Sequence, residues 1–384
     1  MLADRMKTVE ESGTVRMAQL AAELKAEGQD VISFAVGEPD FPTPAHVLEA
    51  AKAALDQGYT RYTSTYGLPE LRQAIAEKSR RENSIPCEAS DVMVSSAKHA
   101  IFACLMAYVD RGDEVLVPDP GWVSYVPAVR LCGGTPVPVP LDPDAGYTLR
   151  PEAVAEAITP RTKMLLLNTP SNPTGGVQDR ASMQGLADLA KDHDLLVLTD
   201  ELYEKILYEG EHISLASLPG LYDRTLTVNG FSKSYAMTGW RLGWLIAPPD
   251  LLEPANRVQN HTLTCATAFA QKAAVEALRG PQEPVEAMVR EFRARRDLMV
   301  KGLNDVPGFQ CPMPRGTFYA WPSHGGARSS GELAEFLLGE AHVAVTPGTA
   351  FGARGEGHLR FSFATSRERI KEGLERLGEA ARGL

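Results

Sequence analysis

The chain has 384 residues, too many for one small module, and at roughly 100–200 residues per domain it has the length of about two domains. A hydrophobic fraction of 44% and a charged fraction of 23% exclude disorder as the main state, because such a chain carries enough apolar side chain for a large core. With 39 Lys+Arg against 49 Asp+Glu and a net charge of −10, it lacks the basic face with which a nucleic-acid protein displaces counterions.

In chain order, the start MLADRMKTVEESGTV is charged and has no apolar core segment, and no run of eighteen apolar residues follows, so secretion and membrane insertion have no support. The first 45 residues hold a helix and a Gly/Pro-rich turn, VGEPDFPTP, with too little apolar surface to stand alone; they are expected to pack on the C-terminal unit. From residue 92 short apolar runs alternate with amphipathic stretches, the pattern of helices covering both faces of a mostly parallel sheet. The strands read as 92–96, 114–118, 135–141, 163–168, 195–200, 225–230 and 241–247, a mostly parallel seven-stranded sheet in an α/β fold, and several are apolar throughout, as strands buried on both faces are. Ile101, Cys104, Leu105 and Tyr108 recur at helical spacing just after Ser95-Ser96. The stretch 283–306 reads as one long amphipathic helix leading into a smaller α+β segment with strands in 316–322, 342–348 and 358–364 and a closing helix. The expected domains are 46–284, and 1–45 together with 285–384. Five cysteines (Cys87, Cys104, Cys132, Cys265, Cys311) form an odd set without a CxxC pair, which signals neither a disulfide framework nor a zinc cluster and fits a reducing cytosol.

Chemistry concentrates at the carboxyl ends of the predicted strands, where open α/β sheets place ligands. Lys233, in NGFSKSYAMTGWRLGW, follows one of them in a small, polar context. Most lysines taken singly are solvated; a Schiff-base lysine needs a phosphate anchor, an acid for a pyridinium nitrogen and a donor to a phenolate oxygen. Asp200 ends the apolar run LLVLTD, and a carboxylate there is costly unless paired; it serves either a protonated ring nitrogen or a helix N-terminus. Tyr203 lies three residues on. Asn172, in KMLLLNTPSNPTGG, stands in a loop stiffened by two X-Pro steps, although Asn-Pro and Thr-Gly form plain turns as well. VMVSSAKHAIFACL gives a strand, two serines and a helix, so that backbone N–H groups near Ser96, Ala97 and Lys98 would face an anion; simple serine capping explains the serines equally. Arg241 could close the same phosphate with a charge-assisted fork, and Trp122 in DPGWVSY could stack on a flat ring, though tryptophans are more often core residues.

The order and spacing of these segments carry more than any one of them. Through SGTV, GEPDF, YTSTYGLPELR, DPGWVSY, NTPSNPTGG, TDELYE, NGFSKSYAMTGWR and HLRFSFA, essentially the whole chain resembles the fold-type I pyridoxal-phosphate aminotransferases of class I/II, and most closely the bacterial aspartate aminotransferases. The resemblance implies pyridoxal 5′-phosphate as cofactor, with Lys233 joined to its aldehyde and later moving the proton. Asp200 is implied to pair with the pyridine nitrogen, Tyr203 and Asn172 to bond the ring oxygen, and Trp122 to stack on the ring. Ser96, Ala97, Lys98 and Arg241 fall around the phosphate. Tyr62 matches a tyrosine that reaches the neighbouring subunit's phosphate, which implies a homodimer with shared sites. Arg360 and the backbone of Gly37 match the clamp on the substrate α-carboxylate. At position 230 many relatives have a phosphate-binding serine and this chain has glycine; either Ser232 takes that contact or it is absent.

For the substrate, the aspartate-active branch places a lysine and a small polar residue against the distal carboxylate, here Lys98 and Thr14 with Ser12 beside it, which favours a dicarboxylate. Relatives often carry Lys-Pro before that segment, where this chain has Glu10-Glu11; two acids facing the site would repel such a substrate, an effect that salt screens. An aromatic, prephenate, alanine or branched-chain donor, or C–S β-lyase chemistry, is the alternative within the same cofactor. A ligand-sensing domain for a DNA-binding partner would need a helix-turn-helix for which the first 45 residues leave no room.

Overall fold

A computed structural model describes residues 2–9 and 13–382. Its centre is an eight-stranded sheet in the order Val92–Ser95, Gly243–Ile246, Thr225–Gly230, Leu196–Asp200, Thr162–Asn168, Glu114–Asp119, Thr135–Asp142 and Thr148–Leu149. All seven strands expected from sequence lie in it. The eighth, two residues long, pairs antiparallel at one edge, and Gly243–Ile246 is antiparallel to both of its neighbours. The remaining neighbours run parallel, so Ser95, Asp119, Asn168, Asp200 and Gly230 all end strands at one edge of the sheet.

Side chains two apart on a strand face the same side, and the apolar runs divide accordingly. Met93, Leu166, Leu198 and Val228 pack with the helices Ala97–Tyr108 and Pro249–Thr262. Leu165, Leu167 and Val197 pack with Arg180–Asp192, and Val92, Val94, Trp244 and Ile246 with Ala45–Asp56, Pro69–Asn83 and Ala268–Arg279. Burial of each such aliphatic side chain contributes about 1.5–3 kcal/mol, which is why uninterrupted apolar runs become central strands.

The long helix Glu283–Asp305 forms as expected and buries Phe292, Met299 and Leu303 against Phe318, Phe361 and Phe363. Met17, Ile32 and Phe34 from the N-terminal segment join this core, and Ile32–Ser33 pairs in parallel with Val343–Ala344. The expected strand 342–348 is split into Val343–Ala344 and Thr346–Pro347. No helix among the described residues is long and apolar enough to cross a membrane.

Candidate active site

The carboxyl ends of the strands and the C-terminal unit enclose a cavity of about 540 Å³. It is lined by Lys233, Asp200, Tyr203, Asn172, Ala97, Lys98, Trp122, Ser232, Arg241, Gly37 and Arg360, which brings together most of the residues singled out in the sequence.

Asp200 closes its strand in register with Asn168, whose amide donates to the Asp200 carbonyl (2.9 Å). Its Oδ1 accepts from the Leu202 N–H (3.2 Å), a local cap on the turn, while Oδ2 accepts from the Tyr125 hydroxyl (2.7 Å). Among the described residues no cation bonds it directly. Burial pushes its pKa up to about 6, against the lowering by the two hydrogen bonds, with the neighbouring Glu201 charge adding to the rise. A buried carboxyl in this state favours a protonated, cationic partner.

Lys233 leaves the end of Thr225–Gly230 and donates from Nζ to the Gly37 carbonyl (2.5 Å). Loss of solvation lowers its pKa to about 8; Glu38 opposes this, and the cations Arg360 and Arg241 reinforce it. Gly37 is a glycine for a steric reason, since a Cβ there would stand 2.4 Å from the Tyr319 hydroxyl. That hydroxyl is paired with the Tyr203 hydroxyl at 2.9 Å.

Arg360, on Leu359–Ser362, is buried with 3% exposure and has no carboxylate partner among the described residues. It donates to the Ala35 carbonyl (2.6 Å), to Asn172 Oδ1 (3.1 Å) and at the limit of reach to Thr346 Oγ1 (3.5 Å), and its Nε has no partner. The guanidinium lies over the Tyr319 ring at 4.4 Å and the Phe351 ring at 4.8 Å. A buried cation balanced only by dipoles and ring faces is costly, and a ligand carboxylate would offset that cost by a bidentate pair.

Lys98, also lining the cavity, lies in the first turn of the helix Ala97–Tyr108 and holds its ammonium 4.9 Å from the Trp122 ring centroid. Desolvation, and then the like charge of Arg241, lower its pKa. Trp122 meets Tyr125 edge to face at 5.2 Å. Arg241, in the left-handed region at φ 54°, donates to the Thr238 carbonyl (3.0 Å), and the Thr238 hydroxyl bonds Glu38 across the cavity mouth.

Two expected residues do not line this chain's cavity. Ser96 does not line the cavity: its hydroxyl caps the helix by accepting the His99 N–H (3.4 Å), and it faces an adjoining hollow shared with Lys98, Trp122 and Arg241. Tyr62 lies outside this chain's cavity with 87% exposure. Ser12 falls outside the described residues, as does the Thr14 side chain, although Thr14 belongs to the helix Gly13–Ala26. At Gly230, a Cβ would stand 2.9 Å from the Gly243 Cα, so close strand pairing leaves no space for a serine there. Sequence reasoning missed Tyr125, Tyr319 and Asn168. Tyr125 was findable as the residue three past Trp122 at the start of a helix, and Asn168 as the polar end of an apolar strand level with Asp200; Tyr319, which comes from a distant two-residue strand, gave no local signal.

The site is that of a pyridoxal-phosphate-dependent aminotransferase. Residues 29–377 match the family Aminotransferase class I and II, and the chain belongs to that family. It is 43% identical over 387 residues to the aspartate aminotransferase of Pyrococcus abyssi, covering 99% of this chain and 98% of that one. It is 42% identical over 382 residues to the aromatic-amino-acid aminotransferase 2 of Thermococcus litoralis, covering 98% and 97%. The solved aspartate aminotransferase from Thermus thermophilus with maleate superposes with a TM-score of 0.95 at 42% identity, covering 99% of each chain.

The side chains present fit the cofactor. A desolvated amine, a buried carboxyl bonded by no cation among the described residues and a guanidinium with an orphaned Nε share one cavity, a donor set into which an aldehyde, a ring nitrogen and a carboxylate would fit.

Proposed function

We propose that this chain transfers the amino group of L-aspartate to 2-oxoglutarate, giving oxaloacetate and glutamate, with both substrates using the one cavity in turn. The observation that carries this reading is a cavity whose lining cations include Arg360 and Lys98, neither with a carboxylate partner among the described residues, matching a donor with two carboxylates. A relative solved with maleate, itself a dicarboxylate, supports it.

Pyridoxal phosphate, when bound, supplies the electron sink that makes the α-proton of an amino acid acidic. With the cofactor bound, Asp200 would hold a proton on the pyridine nitrogen, Asn172 and Tyr203 would donate to the ring oxygen, and Trp122 would be available to stack on the ring. Arg241, Ser232 and the backbone N–H groups of Ala97 and Lys98 at the helix start would bind the phosphate; Ser96 contributes by fixing that helix start. Arg360 and the Gly37 backbone orient the α-carboxylate. Lys233 takes the proton from the substrate Cα, for which its amine must be neutral, and a pKa near 8 gives a useful neutral fraction at neutral pH. Residues 46–284 form one unit and 1–45 with 285–384 the other, and the cavity draws Lys233 from the first and Arg360 from the second. Two copies of the chain form the working enzyme, each lending Tyr62 to the other's site.

A panel of amino donors against 2-oxoglutarate tests the substrate. Aspartate is expected to lead, and Lys98→Ala to lower kcat/KM for aspartate at least tenfold more than for alanine; the loss of a charge-assisted contact of about 1.5–3 kcal/mol corresponds to that ratio. Equal losses for both donors would remove the dicarboxylate assignment. Ile101, Leu202 and Trp122 also line the cavity and favour an aromatic donor as the second reading, which the same panel decides.

A further inference from the structure

The segment carrying Asp200 and Tyr203 is anchored from behind by charges that do not line the cavity. Glu201 and Glu204 are both buried. Glu201 accepts from Ser214 Oγ (2.8 Å) and Thr199 Oγ1 (3.3 Å) and pairs with His212 Nε2 at 3.0 Å. Glu204 accepts from the Asn83 amide (2.6 Å) and is ion-paired with Lys78, which in turn donates to Asn83 (2.7 Å). Glu82 and Lys205 form a further pair (2.8 Å) at the partly exposed rim.

Charge counting assigns the state of His212. Glu204 has Lys78 as counter-ion and Glu82 has Lys205, Arg81 and Lys78, whereas the ionisable partner of the buried Glu201 among the described residues is His212, so the Glu201 charge has no adjacent counter-ion unless the imidazole is protonated. An uncompensated buried charge costs several kcal/mol, and His212 is itself 8% exposed and in contact with Glu201. The charge matters for the reaction because Glu201 adjoins Asp200 in the chain and raises the Asp200 pKa.

We propose that His212 is a positioning residue for Asp200: as an imidazolium on Glu201 it pins the turn that aims the Asp200 carboxylate and neutralises the charge beside it. The proposal rests on the reading of Asp200 as the partner of the cofactor's ring nitrogen. The groups facing the imidazole divide, with Glu201 and Glu204 favouring the cation and Lys78 opposing it. Burial lowers its pKa, but the charge and hydrogen bond of Glu201 and the charge of Glu204 outweigh both that and the repulsion of Lys78, leaving it raised. Without the imidazolium, Asp200 holds its proton to higher pH and binds a cationic ring nitrogen less well.

The test is a double-mutant cycle on pyridoxal-phosphate affinity, measured by equilibrium dialysis on the full chain with wild type, His212→Gln, Asp200→Asn and the pair. His212→Gln is expected to weaken binding about tenfold in the wild-type background and less than about twofold with Asp200→Asn, the non-additivity of residues in one network. Glu201→Gln combined with His212→Gln, which removes both charges, is expected to bind the cofactor within about threefold of wild type. A loss of equal size in both backgrounds, no loss at all, or failure of the charge-neutral pair to fold or to bind would overturn the proposal. Asp200→Asn binding like wild type would instead remove the reading of Asp200, and this proposal with it.

Discussion

At the scale of single residues, the amine of Lys233 and the carboxyl of Asp200 have both moved toward neutrality, to about 8 and about 6, because one cavity strips solvent from both. For Lys233 the folded pKa lies below its ordinary 10.5. Between about 8 and 10.5 the unfolded lysine therefore keeps a proton that the folded one has lost, and the cofactor-free chain should gain stability as pH rises through that window. Urea unfolding at a series of pH values checks this, with Lys233→Met expected to flatten that rise; an unchanged slope in the variant would place the lysine in solvent-like surroundings. Lys233, Asp200 and Asn172 were legible because each follows an apolar run, where a polar side chain needs a reason, and Arg241 because it is a cation a few residues beyond Lys233. Tyr319 and the Tyr203 pairing were not, since the two hydroxyls meet across 116 residues. The missing carboxylate partner of Arg360 is likewise a property of packing that a linear sequence does not display.

Among the elements, the central strands followed directly from hydrophobicity, whereas their ends were set by local geometry. The strand expected at 241–247 forms only over Gly243–Ile246, because Arg241 sits in left-handed backbone and turns its side chain to the cavity in place of the ladder. The edge strand Thr148–Leu149 is too short to leave an alternating pattern. The close pairing of Gly230 with Gly243 predicts what a serine at position 230 would do. Gly230→Ser forces backbone apart, so it should lower stability by about 1–3 kcal/mol without improving cofactor affinity. Thermal unfolding and equilibrium dialysis measure the two effects, and a tighter-binding variant of unchanged stability would show that the strands can yield there.

For the molecule as a whole, the chain ends are drawn together. Asp30 pairs with Arg369 (2.7 Å) and Arg376 (2.5 Å) of the closing helix, and Ile32–Ser33 extends a strand from the C-terminal unit. This brings Gly37 to Lys233 and sets Arg360 against Ala35. The expectation that the first 45 residues could not stand alone is explained by this arrangement, because their apolar residues Met17, Ile32 and Phe34 complete a core built mainly by residues beyond 285. The proposed sharing of Tyr62 has a consequence that subunit mixing can read. Tyr62→Ala and Lys233→Ala enzymes, each impaired alone, should regain activity when their subunits exchange, since a mixed dimer holds one site with an intact lysine and an intact tyrosine. Mixed dimers that stay as weak as the Tyr62→Ala parent would confine Tyr62 to its own surface.

Borohydride reduction of the cofactor-loaded enzyme, followed by digestion and peptide mass measurement, addresses the attachment point directly. The pyridoxyl increment is expected on the peptide containing Lys233, with Lys233→Ala failing both to take the label and to transaminate while unfolding like the parent chain. Label recovered on Lys98 or Lys163, or full activity in Lys233→Ala, would contradict the assignment of the catalytic amine.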